Sequence, residues 1–307
     1  MKKIGMLLLS SALSMSFLQA ADFNAQAEKD RKAMIKYFED KFEDAEKNKA
    51  EYFPYSTDEE VQKAIAKGVK HEDFANGNYS FNIDGKAQWE QMREDFPPYE
   101  DNVEKGEELW FKEDRKGNSI AKCFDNKPES YAKYPYYDND RKQVVTITQA
   151  INECITEKMG KRRAWKTSKG KMADVQAYMA FKTKEAGLKV NVKINSKEAA
   201  EAYERGKEYF YTQRGYLKLN CAECHVQGSG KRVRNEKLSP TLGSVTHFPV
   251  YRLKWSGLGT LERRMGGCIK DQGQVPPKAT SDEMKELLFF MSYMSNELNF
   301  NGPDIRK

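Results

Sequence analysis

Hydrophobic residues recur at helical spacing along much of the chain. Between Ala25 and about Lys49, where Glu, Lys and Ala are abundant, Met34, Phe38 and Phe42 follow at four-residue intervals and predict a helix. Alternating runs of β-branched residues, which would predict strands, are few. The hydrophobic pattern therefore predicts a mainly α-helical protein.

Local signals place two helix starts and one loop. The segments Thr57–Glu60 and Thr280–Glu283 each have the spacing of an N-terminal capping box, with a hydroxyl residue three positions before a glutamate. Residues 76–100 contain Gly, Asn and Pro and close on Pro97-Pro98, which is the composition of a loop. Residues 21–100 are accordingly predicted to form a helical N-terminal extension.

Two later parts of the chain resemble each other in the order of their features. The first is marked by Gly106, Cys123 and Cys154, and the second by Gly206, Cys221 and Cys268. Each then ends in a helical stripe, Met172, Val175, Tyr178 and Met179 in one and Met284, Leu287, Phe290 and Met291 in the other. Helices rich in Glu, Lys and Met can look alike by chance, but the shared order favours a duplication. It predicts two tandem domains, at residues 101–194 and 195–307.

The first twenty residues have the three parts of a secretion signal. Lys2 and Lys3 form a basic start, an apolar run ends at Leu18, and Ala20 is the small residue near the expected cleavage point. A transmembrane anchor is the alternative, but the run is shorter than the roughly 20 apolar residues that a bilayer needs. Residues 1–20 are therefore predicted to be a signal peptide, and the mature protein to be periplasmic without a membrane span.

Charge and cysteine content narrow the function classes. The formal net charge is +6, and removal of the two signal-peptide lysines lowers it to +4. Such a mild excess gives no indication of nucleic acid as a partner. The chain has five cysteines, which are expected to pair in an oxidising compartment. Their odd number means that at least one has another role.

Cys221-Ala-Glu-Cys224-His225 is a C-x-x-C-H motif and occurs once in the sequence. In such a motif the two thiols attach haem covalently, and the histidine is the proximal ligand of the iron. A zinc site is the main competitor, but it would need two further ligands at a regular spacing. A thioredoxin-type redox pair would need a βαβ context. The motif therefore predicts a c-type cytochrome with one covalently bound haem c.

The sixth ligand of the iron has three candidates in the sequence. Met265 lies before the C-terminal helix, where small cytochromes c carry a ligating methionine. His247 is a second candidate, and Cys268 is a third because thiolate is a known haem ligand. These residues alone leave Cys268 only slightly ahead of Met265.

The first copy has no C-x-x-C-H motif. If the two copies superpose, Cys123 takes the position of a haem-binding cysteine and Cys154 that of Cys268. Two such cysteines in a haemless domain would share one interior and could form a disulfide. Two free thiols are the alternative, which is unfavoured in an exported protein.

These features together resemble SoxA, the catalytic cytochrome subunit family of the SoxXA complex of bacterial thiosulfate oxidation. The resemblance covers essentially the whole mature chain. Its most specific parts are the Arg214-Gly to Leu219-Asn-Cys221-Ala-x-Cys224-His225 run, the Phe248-Pro-Val-Tyr-Arg-Leu-Lys-Trp255 segment and Arg263-Arg264-Met-x-x-Cys268. It implies the single-haem branch of the family, in which a disulfide, here Cys123–Cys154, replaces the N-terminal haem site. Gly266-Gly267, directly before Cys268, depart from many relatives.

The resemblance also implies an activity and roles for residues. Family members are L-cysteine S-thiosulfotransferases, which oxidatively join thiosulfate to a cysteine of the SoxYZ carrier and work with a SoxX cytochrome subunit. By position, Cys268 is implied to be the distal haem ligand and the catalytic persulfide, and Arg264 the substrate-binding residue, with Arg263 as runner-up. Further cations that could attract an anion are Arg232, Arg234, Arg252, Lys254 and Lys270.

Two other functions stay open at this point. One is a monohaem periplasmic electron-transfer cytochrome without sulfur chemistry, which methionine ligation would favour and a labile thiolate would not. The other is a thiosulfate dehydrogenase that makes tetrathionate and needs no protein cysteine as acceptor.

Overall fold

The computed structural model describes residues 22–94, 96–233 and 236–307, and helices predominate within them. The α-helices in these ranges are α1 (Ala25–Glu43), α2 (Lys49–Tyr52), α3 (Asp58–Ala64), α4 (Ile83–Glu94), α5 (Glu100–Phe111), α6 (Ile120–Cys123), α7 (Ile147–Glu153), α8 (Lys171–Glu185), α9 (Lys197–Tyr211), α10 (Leu261–Asp271) and α11 (Asp282–Met294). The predicted mainly α-helical class is confirmed. The predicted signal peptide lies outside the described residues.

Short strands form three small sheets. They are β1 (Tyr136–Asp138), β2 (Gln143–Val145), β3 (Arg232–Val233), β4 (Glu236–Lys237), β5 (Val250–Arg252), β6 (Gly257–Gly259) and β7 (Asp304–Arg306). Strands β1 with β2 and β3 with β4 make antiparallel pairs. In the third sheet β5 is central, antiparallel to β6 with Val250 opposite Gly259, and parallel to β7 with Val250 opposite Asp304. This sheet connects the chain just before α10 to the C-terminal residues.

Two buried helices organise the core, and each is crossed closely at a glycine. Most residues of α8 and α11 are buried. A Cβ atom at Gly106 of α5 would lie 2.0 Å from the Asp174 carbonyl oxygen of α8, and a Cβ atom at Gly206 of α9 would lie 2.1 Å from the Glu286 carbonyl oxygen of α11. Any side chain at either glycine would push the helices apart. Each helix pair therefore depends on the same kind of contact, in which a glycine of one helix lies against a backbone carbonyl of the other.

The prediction of a loop at residues 76–100 is wrong, because α4 lies within it. Gly85 and Trp89 are its only buried residues, so the sequence has no hydrophobic stripe there. A distant contact holds the helix in place, since the indole N–H of Trp89 donates to the Asp304 carboxylate at 2.8 Å. The first helix also ends earlier than predicted, at Glu43.

The two predicted capping boxes differ in outcome. Thr57 is the N-cap of α3, and its hydroxyl accepts a hydrogen bond from the Glu60 backbone N–H at 3.1 Å. The second box is wrong, because α11 has Ser281 rather than Thr280 as its N-cap and no side-chain cap bond forms. Burial of α11 against its neighbours stabilises its start without that bond.

None of the helices in the described ranges is both long and apolar enough to cross a membrane.

Lys41 joins α1 to the segment that carries the C-x-x-C-H motif. Its side chain is fully buried, and its ammonium donates to the carbonyls of Val226 at 3.3 Å and Gln227 at 2.9 Å. The rings that surround it at 5.2–5.9 Å are those of Tyr37, Phe42, Tyr52 and Phe53. Burial, and next the charge of Lys231, lower the pKa of Lys41 to about 7. The N-terminal extension is thus hydrogen-bonded to the two residues that follow His225 in the chain.

The pH dependence of stability tests this contact. The unfolded chain holds the Lys41 proton up to the ordinary lysine pKa of 10.5, whereas the folded protein releases it at about 7. Folding therefore becomes more favourable as the pH rises from about 7 to 10.5, by roughly 1.4 kcal/mol per pKa unit at most. We expect urea unfolding at pH 7 to 10 to show this gain in the wild type and not in Lys41→Met. Parallel curves would contradict the assignment, and Lys29→Met, which removes an exposed charge from the same helix, is the control.

Candidate functional site

A cavity lies between the C-x-x-C-H segment and α10. Among the residues that line it are Cys221, His225, Ser239, His247, Phe248, Arg264, Met265, Cys268 and Met291. The sequence-predicted proximal ligand and all three candidates for the distal ligand therefore line one cavity.

The geometry of His225 fits a metal ligand. It lies in a π-helical turn from Glu223 to Gln227, and its Nδ1 is 2.9 Å from the Ser239 carbonyl oxygen. Because a carbonyl can only accept, Nδ1 carries the proton and Nε2 keeps its lone pair. Metal-ligating histidines are usually fixed in this way by a bond from the other ring nitrogen. The Thr241 N–H and hydroxyl both donate to the His225 carbonyl, at 2.9 and 3.1 Å, and fix the backbone as well.

The cysteines of the cavity differ in acidity. Burial, followed by the nearby Cys268 and Cys224, raises the pKa of an unmodified Cys221 thiol to about 12. Burial also opposes ionisation of Cys268, but other influences, of which the Arg264 guanidinium is the largest, outweigh it and lower its pKa. Thiolate is the form that reacts and binds metals. Of these two cysteines, Cys268 is the one whose surroundings favour the thiolate, and it lines the cavity together with His225.

Helix α10 places Arg264 and Cys268 on one face. The two residues are four apart, so their side chains are neighbours one turn from each other. Thr260 fixes where the helix begins: its hydroxyl accepts from the Arg263 N–H at 3.4 Å and donates to the Thr167 carbonyl at 2.7 Å, and its N–H donates to the Ser168 carbonyl at 3.2 Å. The orientation of the arginine and the cysteine follows from this cap.

Arg263, the runner-up for anion binding, points elsewhere. Its guanidinium lies 4.0 Å from the centre of the Trp255 ring and donates to the Leu258 carbonyl at 3.3 Å. Arg252 likewise donates to the Lys307 carbonyl, at 2.6 and 2.9 Å. Arg264 is the arginine that lines the cavity. Of the other predicted cations, Lys254 and Lys270 are exposed, Arg232 lies 3.7 Å from the Glu60 carboxylate, and Arg234 lies outside the described residues.

His247 is a buried member of the cavity wall. Its Nδ1 is 3.1 Å from the Gly243 carbonyl oxygen, and its ring stacks on Phe248. Burial, and next the charges of Arg306 and Arg264, hold the pKa of His247 well below its usual value, so the ring is neutral. Its role in the cavity is that of a neutral, fixed side chain.

The surface beside Cys268 is open. A Cβ atom at Gly267 would meet no atom within 4 Å, and one at Gly266 would meet only Pro276, at 4.0 Å. Both glycines lie inside α10, where glycine costs about 1 kcal/mol relative to alanine. Side chains could therefore be accommodated at both positions, and the two glycines leave this turn of α10 bare.

Cys123 and Cys154 form a disulfide, with their Cα atoms 6.0 Å apart. The interior next to this part of the chain holds large aromatic rings. Trp110 is fully buried, 5.5 Å from the ring of Phe124 and 6.0 Å from that of Tyr178.

Sequence reasoning misses the residues that act through the backbone. Ser239 and Thr241 hold His225, and Thr260 sets α10, all across distances that no local pattern reports. Thr260 is visible in the sequence only as a hydroxyl residue before the predicted Arg-Arg segment, a weak N-cap signal.

Comparisons with known proteins agree with this site. The family model for the SoxA/TsdA cytochrome c domain matches residues 105–188. The chain is 46% identical to the L-cysteine S-thiosulfotransferase subunit SoxA of Chlorobaculum tepidum, over 78% of this chain and 82% of the relative, and 38% identical to that of Allochromatium vinosum, over 78% and 84%.

A solved structure is also similar to this chain. The crystal structure of SoxXA from P. pantotrophus matches with a TM-score of 0.64 and 32% identity, over 72% of this chain and 84% of that chain. A cytochrome c domain implies covalently bound haem c, and the thiols of Cys221 and Cys224 with the imidazole of His225 are the groups that would hold it. On its sequence and its fold, this chain belongs to the SoxA family.

Proposed function

We propose that this protein is the L-cysteine S-thiosulfotransferase subunit of a thiosulfate-oxidising enzyme, with a cysteine of a SoxYZ-type carrier as acceptor. The observation that carries the proposal is the position of Arg264 and Cys268, one turn apart on α10, in the wall of the cavity that His225 lines. The names of the relatives from Chlorobaculum and Allochromatium support it.

The reaction balances as an oxidative coupling. The carrier cysteine loses its S–H proton, a bond forms between its sulfur and the terminal sulfur of thiosulfate, and two electrons leave. Haem c, when bound, supplies the redox centre for these electrons. Cys268, carrying its sulfur as a persulfide, is the group that exchanges with sulfur species through mixed disulfides. Its lowered pKa favours this role, since burial is outweighed by other influences, of which the Arg264 guanidinium is the largest.

Arg264 binds the sulfonate end of thiosulfate. A guanidinium can offer two parallel N–H donors to an oxyanion, and a half-buried one loses less of this attraction to water. Arg263 is engaged by Trp255 and Leu258 and is not the substrate residue.

The cofactor set is one haem c. Cys221 and Cys224 attach it, His225 is the proximal ligand and Cys268 the distal one. The bond from Nδ1 of His225 to Ser239 supports the first assignment, and the lowered pKa of Cys268, which lines the same cavity, supports the second.

The domain organisation is two tandem cytochrome c-like domains, of which the first, residues 101–194, is haemless and the second, residues 195–307, binds haem. Three observations support it: the matching helix crossings at Gly106 and Gly206, the family model on residues 105–188, and the Cys123–Cys154 disulfide. Residues 1–20 are a signal peptide and residues 21–100 an N-terminal extension. The protein acts in the periplasm with a SoxX-like cytochrome subunit, a partner suggested by the similarity to the SoxXA complex.

Mass analysis tests the cofactor assignment. We expect purified, reductant-free protein to carry one covalent haem on the Cys221–Cys224 peptide and a disulfide between Cys123 and Cys154. Two haems per chain, free thiols at Cys123 and Cys154, or Cys268 in a disulfide would each contradict it. The same spectrum reports a persulfide on Cys268 as one additional sulfur.

Substitution of Cys268 tests the sulfur chemistry. In Cys268→Ala we expect haem to stay attached through Cys221 and Cys224, while the thiosulfate-dependent mass increase of the carrier is lost. Met265→Leu, on the same helix and cavity wall, is the control and should keep the activity. The opposite pattern, with a methionine-to-iron charge-transfer band in the wild type, would identify an electron-transfer cytochrome instead. Tetrathionate formation without carrier would identify a thiosulfate dehydrogenase.

Substitution of Arg264 tests anion binding. Hydrogen bonds to charged groups contribute about 1.5–3 kcal/mol, so Arg264→Ala should raise the KM for thiosulfate roughly 10- to 100-fold. Arg264→Lys should recover part of the loss, because it keeps the charge without the paired donors. Arg263→Ala, which removes the neighbouring charge from the Trp255 ring, is the matched control. An equal effect at both positions would show that general positive charge, and not Arg264, binds the substrate.

A further inference from the structure

One loop of the first copy is strongly basic. Residues 158–171, the basic loop, contain seven cations and no Asp or Glu. The whole chain has 52 Lys and Arg, these seven included, against 46 Asp and Glu. The cations are Lys158, Lys161, Arg162, Arg163, Lys166, Lys169 and Lys171, and all are exposed. The proposed activity does not use any of them.

These cations lack neutralising partners within the part of the chain that the structure describes. Among the residues that the structure describes, no Asp or Glu lies within ion-pair distance of any of the seven, whereas other surface cations have such partners, for example Lys122 with Glu113 and Arg205 with Glu286. Lys161 acts on Asp114 only as the smallest of several influences, after the hydrogen bond from Asn118, that lower the pKa of that carboxyl. Unneutralised like charges repel one another and destabilise the compact state. An acidic surface bound over them would remove that repulsion.

The basic loop is fixed from two sides. The side chain of Asn152 both accepts from the Trp165 N–H at 2.8 Å and donates to the Trp165 carbonyl at 3.1 Å. Thr260 donates to the carbonyls of Thr167, from its hydroxyl, and Ser168, from its backbone. A loop held in this way loses little conformational entropy when a partner binds.

The second of these attachments connects the basic loop to the site. Thr260 is the N-cap of α10, and Cys268 lies eight residues further along, about 12 Å at 1.5 Å per residue. A standard protein–protein interface covers about 800 Å² on each partner, so one bound protein can contact the loop and the region of Cys268 together. The basic loop is therefore attached to the N-cap of the helix that carries Cys268, about two helical turns from that cysteine.

We propose that the basic loop binds an acidic surface on the carrier protein that brings its cysteine to Cys268. The inference rests on the proposed function and names the recognition surface for its protein substrate. A small dianion such as thiosulfate needs one or two cations, whereas seven spread over fourteen residues match the extended surface of a protein. Charge complementarity of this kind mainly accelerates association and sets orientation.

Charge reversal tests the proposal. The variant carries Lys161→Glu, Arg162→Glu and Arg163→Glu in the intact complex with its cytochrome subunit. The control carries Lys29→Glu, Lys189→Glu and Lys193→Glu, which are exposed lysines elsewhere and make the same change in net charge. Association with the purified carrier is followed by surface plasmon resonance at 20–300 mM salt, and turnover is measured at saturating carrier.

We expect the loop variant to lose about tenfold or more in association rate at low salt, with a flatter salt dependence, while kcat at saturation stays unchanged. The control should keep the wild-type rate to within about twofold. Equal losses in both variants, or no loss in the loop variant, overturn the proposal. Two further outcomes overturn it, each with an unchanged carrier association rate: the variant loses its cytochrome subunit, or it loses binding to anionic vesicles. In either case the loop would serve that other partner.

The binding assay separates this inference from the proposed function. Loop-dependent binding of a carrier that acquires no thiosulfonate supports the docking surface and overturns the function. Normal thiosulfonate formation with binding that does not depend on the loop supports the function and overturns the docking surface.

Discussion

The site depends on the hydrogen bonds of one buried threonine. Thr260 is fully buried, caps α10 and at the same time donates to two carbonyls of the preceding part of the chain. An N-cap contributes about 1 kcal/mol to a helix, but its geometric effect is larger, because it fixes the direction in which the next two turns present their side chains. Arg264 and Cys268 reach the cavity only with α10 in this position. The same residue connects the active helix to the basic loop.

The cavity separates two kinds of cysteine by electrostatics. Burial and the neighbouring thiols raise the pKa of Cys221 to about 12, against a weaker opposing effect of Arg214. Cys268 is also in a wall of the cavity, but other influences, of which the Arg264 guanidinium is the largest, outweigh its burial and lower its pKa. The first environment suits a cysteine that ends in a stable thioether, and the second suits one that binds metal or exchanges sulfur. The difference comes from charged groups on neighbouring residues, not from the cysteines themselves.

Sequence reasoning succeeds where the chemistry is local. The C-x-x-C-H motif and the Arg264–Cys268 spacing are contained in five residues each, and the stripes of α8 and α11 reflect burial that the sequence must encode. It fails where a contact joins distant residues. Helix α4 is predicted as a loop because its anchor, Trp89 to Asp304, spans 215 positions. Lys41 is one lysine among many in the sequence, and only the fold places it against Val226.

The haemless first copy then has a physical explanation within the proposed duplication. A cytochrome domain without its cofactor loses the group around which its core packs, and an empty cavity would cost stability in proportion to its volume. In the first copy Trp110, Phe124 and Tyr178 pack together in the interior, and the Cys123–Cys154 disulfide links two of its segments. Under that proposal, these ring contacts and the disulfide stabilise the first copy where a haem would otherwise do so. The same part of the chain presents the basic loop and the carbonyls that accept from Thr260, and it thereby positions the helix that carries Arg264 and Cys268.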